Sequence, residues 1–186
     1  MTVDYEKAAS HWTEQEPESV RMPEDELRAE ISAFLDARKV GALATAGAGV
    51  VRCTPIEYFT MGGNIYMFSE GGLKFRALSA CENACLAVYD PNPSFSGLNG
   101  LQVTGTATVV EPFCQEYLDA CAARGLDPKR LRGLPFTMHL IRLRPSRYDL
   151  LESSLKAQGY SVSLCFVTFK SAKKSAKVDT FVKRAC

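Results

Sequence analysis

Ser69, Gly71, Gly72 and Lys74 fall where an alternating apolar stretch gives way to a short helical one. These residue types at a strand-to-helix junction are suited to holding a phosphate. The first turn of a helix presents unpaired backbone N–H groups and the positive end of its dipole to whatever lies beyond it. Here the Leu73 N–H is one such donor, the two glycines allow close approach of the main chain, and Ser69 supplies a hydroxyl. Lys74 supplies a full charge, and Arg52, near the start of an earlier strand-like segment, supplies a second. Each cation would form charge-assisted hydrogen bonds worth roughly 1.5–3 kcal/mol when partly buried. The bland alternative for Lys74 is a solvated residue in the first turn of a surface helix, where a cation is slightly unfavourable. Arg52, Ser69 and the glycines together favour the phosphate.

The elements that must position these residues are legible from periodicity. Residues 50–59 and 64–69 read as strands joined through Met61-Gly62-Gly63-Asn64, where paired glycines supply the positive φ angles of a tight hairpin. Further strands are expected at 42–46, 86–89, 101–110 and 138–144, between turns rich in Gly, Asn and Pro. Leu101, Val103, Ala107 and Val109 alternate with Gln102, Thr104, Thr106 and Thr108, the pattern of a half-buried antiparallel strand whose polar face can border a ligand. Helices are expected over 4–16, 23–39, 73–80 and 112–124. The second has Pro23 at its first position, Glu24, Asp25 and Glu26 against the dipole, and Leu27, Ile31, Phe34 and Leu35 at helical spacing. Six strands with hairpin-like connections predict a mainly β fold with peripheral helices, an antiparallel barrel, because closure removes exposed strand edges. A parallel nucleotide-binding sheet is disfavoured, since the 50–69 pair leaves room only for a turn. Residues 161–169 read as a strand without a nameable partner.

At 186 residues, 46% hydrophobic and net charge +1, the chain suffices for one well-buried domain and gives no global attraction to nucleic acid or an acidic membrane. It lacks the apolar run of roughly 20 residues that spans a bilayer, and its polar, acidic start is unlike a secretion signal. A cytoplasmic protein is expected, in keeping with seven cysteines, odd in number and mostly within apolar segments. Cys81 and Cys85 are spaced as neighbours on a helix face but have no second ligand pair, so buried thiols are expected rather than a metal site, as for Cys114 and Cys121. Cys53 has no nearby histidine to activate it. His139 is expected to be a packed strand residue, and His11 is the other histidine. Three parts are expected: a helical extension over 1–22, a barrel domain over 23–152, and a tail over 153–186 in which seven basic residues face only Asp179.

From about Pro23 to Leu151 the ordered residues resemble the pyridoxamine 5′-phosphate oxidase-like split-barrel flavoproteins. In that family a strand beginning with a basic residue lies along the flavin ring, the next strand ends in an aromatic followed by Ser or Thr, and a lysine opens the following helix. The matching positions are Arg52-Cys53-Thr54-Pro55-Ile56, Phe68-Ser69 and Gly72-Leu73-Lys74. Residues 100–107, with Gln102, resemble the strand before the family's last helix, and 140–151 the closing strand with its Arg-Pro. The resemblance implies FMN at a homodimer interface, its phosphate on Arg52, Ser69, Gly72, Leu73 and Lys74 and its pyrimidine end on the backbone of Cys53, Thr54 and Pro55. It implies an oxidoreductase passing hydride between a donor such as NADH or NADPH and a small acceptor. Split-barrel relatives also include non-catalytic FMN modules, haem-binding or haem-degrading proteins and deazaflavin users, and haem would bring in His11 or His139 as axial ligand. The sequence departs from the oxidases proper: Leu73 replaces an arginine, Glu57 a lysine, and Trp12 is the only tryptophan. The terminal Arg-Leu-His substrate motif is missing, so the resemblance does not extend to oxidation of pyridoxamine phosphate.

Overall fold

The structure, a computed structural model, describes residues 3–15, 20–91, 97–161 and 163–167. Its frame is one antiparallel sheet of β1 (Val40–Gly47), β2 (Val50–Glu57), β3 (Phe59–Met61), β4 (Asn64–Ser69), β5 (Asn83–Tyr89), β6 (Gly100–Val110), β7 (His139–Leu151) and β8 (Ser163–Val167). The order is β2-β1-β5-β6-β7-β4-β3, with β8 also on β7. β7 carries β6 along one edge and divides the other between β4, at His139–Leu143, and β8, at Arg147–Leu151. β2 comes back against β4 without pairing to it, so the sheet curls into an open half-barrel. This is the mainly β split barrel that the sequence predicts.

The described sheet has eight strands rather than six. Residues 50–59 divide at Tyr58, whose N–H donates to Lys39 O at 2.9 Å and whose hydroxyl donates to Leu35 O at 2.8 Å. The strand without a nameable partner is β8, which pairs with β7 and buries Leu164 and Phe166. β7 runs on past the expected end at Arg144, because a bulge at its Ser146, opposite Thr104/Gly105 of β6, lets the pairing continue past Pro145.

Alternation along β6 puts Leu101, Val103 and Ala107 inside, where they meet Leu43, Leu86, Met67 and Leu143. Fully burying one such large side chain is worth roughly 1.5–3 kcal/mol. No described side chain of α1 (Tyr5–Gln15) joins this core; α2 (Glu24–Asp36) adds Leu27, Ile31, Phe34 and Leu35 to it. Pro23 is the residue before α2 rather than its first member, and α2 ends short of expectation. Beyond it the Arg38 guanidinium lies 3.5 Å from the Phe34 ring centroid and donates to Asp90 at 2.9 Å, fixing the exit to the end of β5. A five-residue helix, α3 (Lys74–Leu78), follows β4. A smaller second core forms where α4 (Gln115–Ala123) packs Tyr117, Ala120 and Cys121 onto Tyr66, Val110 and Leu140. A further helix, α5 (Pro128–Arg132), was not expected, because it buries no residue and so has no apolar periodicity. Among the described residues no helix is long and apolar enough to cross a membrane. The basic residues expected beyond Val167, Lys170 to Arg184, and Cys186 lie outside the described residues.

Candidate functional site

The corner expected to hold phosphate is assembled where α3 crosses the end of the β1–β2 hairpin. The approach is close: a Cβ on Gly47 would lie 2.4 Å from the Ala77 carbonyl oxygen. Residues directly opposite in an antiparallel pair share a sheet face. Thr45 opposes Arg52 and Gly47 opposes Val50, so Arg52 belongs to the face on which α3 sits.

At the end of β4, Ser69 is buried, and the Gly71 N–H donates to its Oγ at 3.3 Å. The chain then passes through Gly71 at φ 154° and Gly72 at φ 109°, angles that glycine adopts without the cost a side chain would bring. Lys74 folds back over this turn, its ammonium donating to the Gly71 carbonyl, and is only 7% exposed. Burial holds its ammonium below the usual 10.5. Among the described residues no carboxylate pairs with it. Buried charges are normally paired, because an uncompensated one loses its hydration without return. An anion at this corner would restore the missing counter-charge. Thr45 points the same way: it is 3% exposed, and its Oγ1 has no hydrogen-bond partner among the described residues.

Ser69, Gly72, Leu73 and Lys74 are thus adjacent, as expected from their spacing, and the sheet register puts Arg52 on the same side of the sheet as α3. Leu73 caps α3 and is 46% exposed, and the first bonded amides are Phe75 on Gly72 O and Arg76 on Leu73 O, both at 3.1 Å. With five residues α3 carries a short dipole, so Lys74 supplies most of the local positive field. β2 is an edge strand, and an edge strand turns alternate N–H and C=O groups away from its only neighbour. Arg52 and half-buried Thr54 face the α3 side, whereas exposed Cys53 and Pro55 face the other, and Pro55 offers only a carbonyl. Gln102 stands apart: it is on β6, three strands from β2 and about 14 Å away.

Two further residues border the corner, Thr45, which the sequence did not mark, and His139, which it offered as a binding residue only for haem. Thr45 looks like any strand threonine between alanines, and only its lost partner marks it. His139 is packed as expected, its ring 4.8 Å from that of Phe75, but it also stands opposite Ser69. Cys81 and Cys85 do not share a helix face, since Cys81 follows α3 and Cys85 belongs to β5. Burial pushes the thiols of Cys85 and Cys121 up.

A second polar constellation ties α4 to the sheet. Arg142 donates to both Glu116 oxygens at 3.1 and 3.0 Å and to Thr108 Oγ1 at 3.2 Å, and the Tyr66 hydroxyl donates to Glu116 at 2.8 Å. Burial and the Glu116 carboxylate raise the Tyr66 phenol above its ordinary value. Here the cation has a carboxylate partner, in contrast to Lys74, although the buried Arg142 Nε has no hydrogen-bond partner among the described residues.

Comparison with known proteins agrees with this fold. No curated protein matches the chain. Among solved structures, Campylobacter jejuni ChuZ superposes with TM-score 0.61 at 16% identity over 79% of this chain and 61% of its own. A heme binding protein from Mycobacterium smegmatis gives 0.57 at 21% over 80% and 59%. A FAD-binding protein from Mesorhizobium loti gives 0.52 at 20% over 64% and 90%. The chain spans about three fifths of the first two proteins, and at these identities the likeness is one of fold. The family profile of pyridoxamine 5′-phosphate oxidase matches residues 27–150, from the first core residue of α2 to the last core residue of β7, and the chain belongs to that family.

Proposed function

We propose that the protein is an FMN-binding oxidoreductase that works as a homodimer, with the cofactor phosphate at the Ser69–Lys74 corner. The observation that carries this reading is Lys74, 7% exposed and without a carboxylate partner among the described residues. A phosphate monoester restores the missing counter-charge, and the unpartnered Thr45 hydroxyl and the exposed Arg52 are further donors on that side. Lys74 and Arg52 hold the phosphate, Ser69 donates its hydroxyl, and Gly72 admits the ester close to the main chain. The outward backbone groups of β2 at Cys53, Thr54 and Pro55 orient the ring. Bound there, FMN would supply two-electron redox chemistry between NADH or NADPH and a small acceptor, which needs no acid–base pair from the protein.

The proposed dimer rests on the sheet face away from α3. In register across β2, β1, β5 and β6 it carries Cys53, Ala44, Cys85 and Thr104, then Pro55, Ala42, Ala87 and Gln102. Side chains this small let two sheets approach. Such packing would bring one protomer's Gln102 to the flavin of the other.

Titration of FMN into the purified full chain tests the assignment. Saturable binding is expected, with bleaching of the flavin on anaerobic addition of NADH or NADPH faster than for free FMN. A protein that leaves FMN unbound overturns it, and flavin bound but reduced no faster than free FMN leaves a non-catalytic module. A haem reading is favoured by one feature, His139 beside the corner and opposite Ser69. A Soret band formed on haem addition and lost in His139→Ala would select it.

A further inference from the structure

The Ser69–Lys74 corner lies at one end of β4; at the other end is a cleft of about 380 Å³ between α2, the β3–β4 hairpin and the β7–β8 pair. β4 separates the two by roughly 17 Å, so the cleft is not an extension of the phosphate corner. Its volume falls within the roughly 300–1,000 Å³ of small-molecule sites, as does its mixture of an apolar floor with few polar groups. The floor is Ile31, Leu35, Ile65 and Phe166.

Among the described residues Arg28 is the only charged one that lines the cleft. Its guanidinium lies 4.2 Å from the Phe166 ring centroid, and Glu24 takes its Nε and Nη2 at 3.3 and 2.7 Å, which leaves Nη1 without a partner among the described residues. Tyr148 lies beside it, 6.0 Å from Phe166 between ring centroids, and its hydroxyl makes no hydrogen bond among the described residues. Burial pushes that phenol up, and the Arg28 charge pulls it back. One free guanidinium nitrogen and one unpaired phenol over an apolar floor suit a single carboxylate on an apolar body. Glu24 on Arg28, and Asp36, which accepts from Thr60 at 3.4 Å on the rim, make a phosphate-rich ligand unfavourable here.

We propose that this cleft is a second ligand site, which takes a small monocarboxylate with an apolar body and holds its carboxylate on Arg28 Nη1 and the Tyr148 hydroxyl. The site is independent of the flavin assignment and stands or falls separately.

Calorimetric titration of the full chain with phenylbutyrate tests it, with phenylbutanol as the neutral counterpart. Saturable binding is expected, about tenfold weaker for phenylbutanol and about tenfold weaker in Arg28→Gln or Tyr148→Phe. Ser32→Trp, on the exposed face of α2 at the cleft, is expected to block binding with an unchanged urea midpoint. Lys74→Met is expected to leave phenylbutyrate binding intact. No saturable binding overturns the proposal, as does binding that survives both Arg28→Gln and Ser32→Trp, or that is lost in Lys74→Met alone.

Discussion

At the scale of the residue, Lys74 sets the behaviour of the empty protein as well as its affinity. Its folded-state pKa lies below 10.5, so between that value and 10.5 the unfolded chain holds a proton that the folded chain has released. Stability of the flavin-free protein therefore rises with pH through that window, and the deficit is fully present below it. Lys74→Met removes the deficit. Urea unfolding is expected to show the variant at least as stable as the parent at neutral pH, with the advantage shrinking as pH rises toward 10. Fluorescence titration with FMN is expected to show the opposite, an affinity loss of about tenfold or more. A parent more stable than Lys74→Met at neutral pH in the absence of ligand would argue against an unpaired buried charge. The sequence supplied Lys74, Ser69 and the glycines, because a strand end, a glycine pair and a cation are all local signals. It did not supply Thr45, whose role depends on what fails to reach its hydroxyl.

At the scale of the element, α3 is held by contact with β1 rather than by its own length. Gly47→Ala would set a Cβ 2.4 Å from the Ala77 carbonyl oxygen and force α3 away. The expected cost is about 1–3 kcal/mol by urea unfolding, together with weaker FMN binding because Lys74 moves with α3. Glu116→Ala offers a contrast. It strips Arg142 of its carboxylate and Tyr66 of its acceptor, at an expected cost of about 2 kcal/mol, yet FMN affinity should be unchanged because α4 lies in the other core. If Glu116→Ala weakened FMN as much as Gly47→Ala, the corner would depend on general stability rather than on the seating of α3. The helical spacing of Leu27, Ile31, Phe34 and Leu35 and the alternation of 101–110 made α2 and β6 legible, since each buries one face. α5 buries none of its residues, and that is why it left no trace.

At the scale of the whole molecule, the proposed homodimer makes the affinity for FMN depend on protein association. Ala44 is central to the small-residue face, between Cys53 and Cys85. Ala44→Arg would place a long charged side chain there; sedimentation is expected to show a monomer, with FMN affinity falling alongside. A parent chain that sediments as a monomer with FMN bound would end the shared-site reading. Residue order alone was enough for the local devices: the strand and helix periods, the Gly62-Gly63 hairpin, the turn before Lys74, and the mainly β character. These follow from the conformational preferences of neighbouring residues and from which side chains must be buried. Only the tertiary structure decided the strand order, the partner of β8, the face that Arg52 presents and the isolation of Lys74 from any carboxylate among the described residues. Only it placed Arg28 beside Tyr148 and Phe166. Alternation tells which side of a strand faces inward but not which strand lies beside it, and the fate of a buried charge is set by groups distant in sequence.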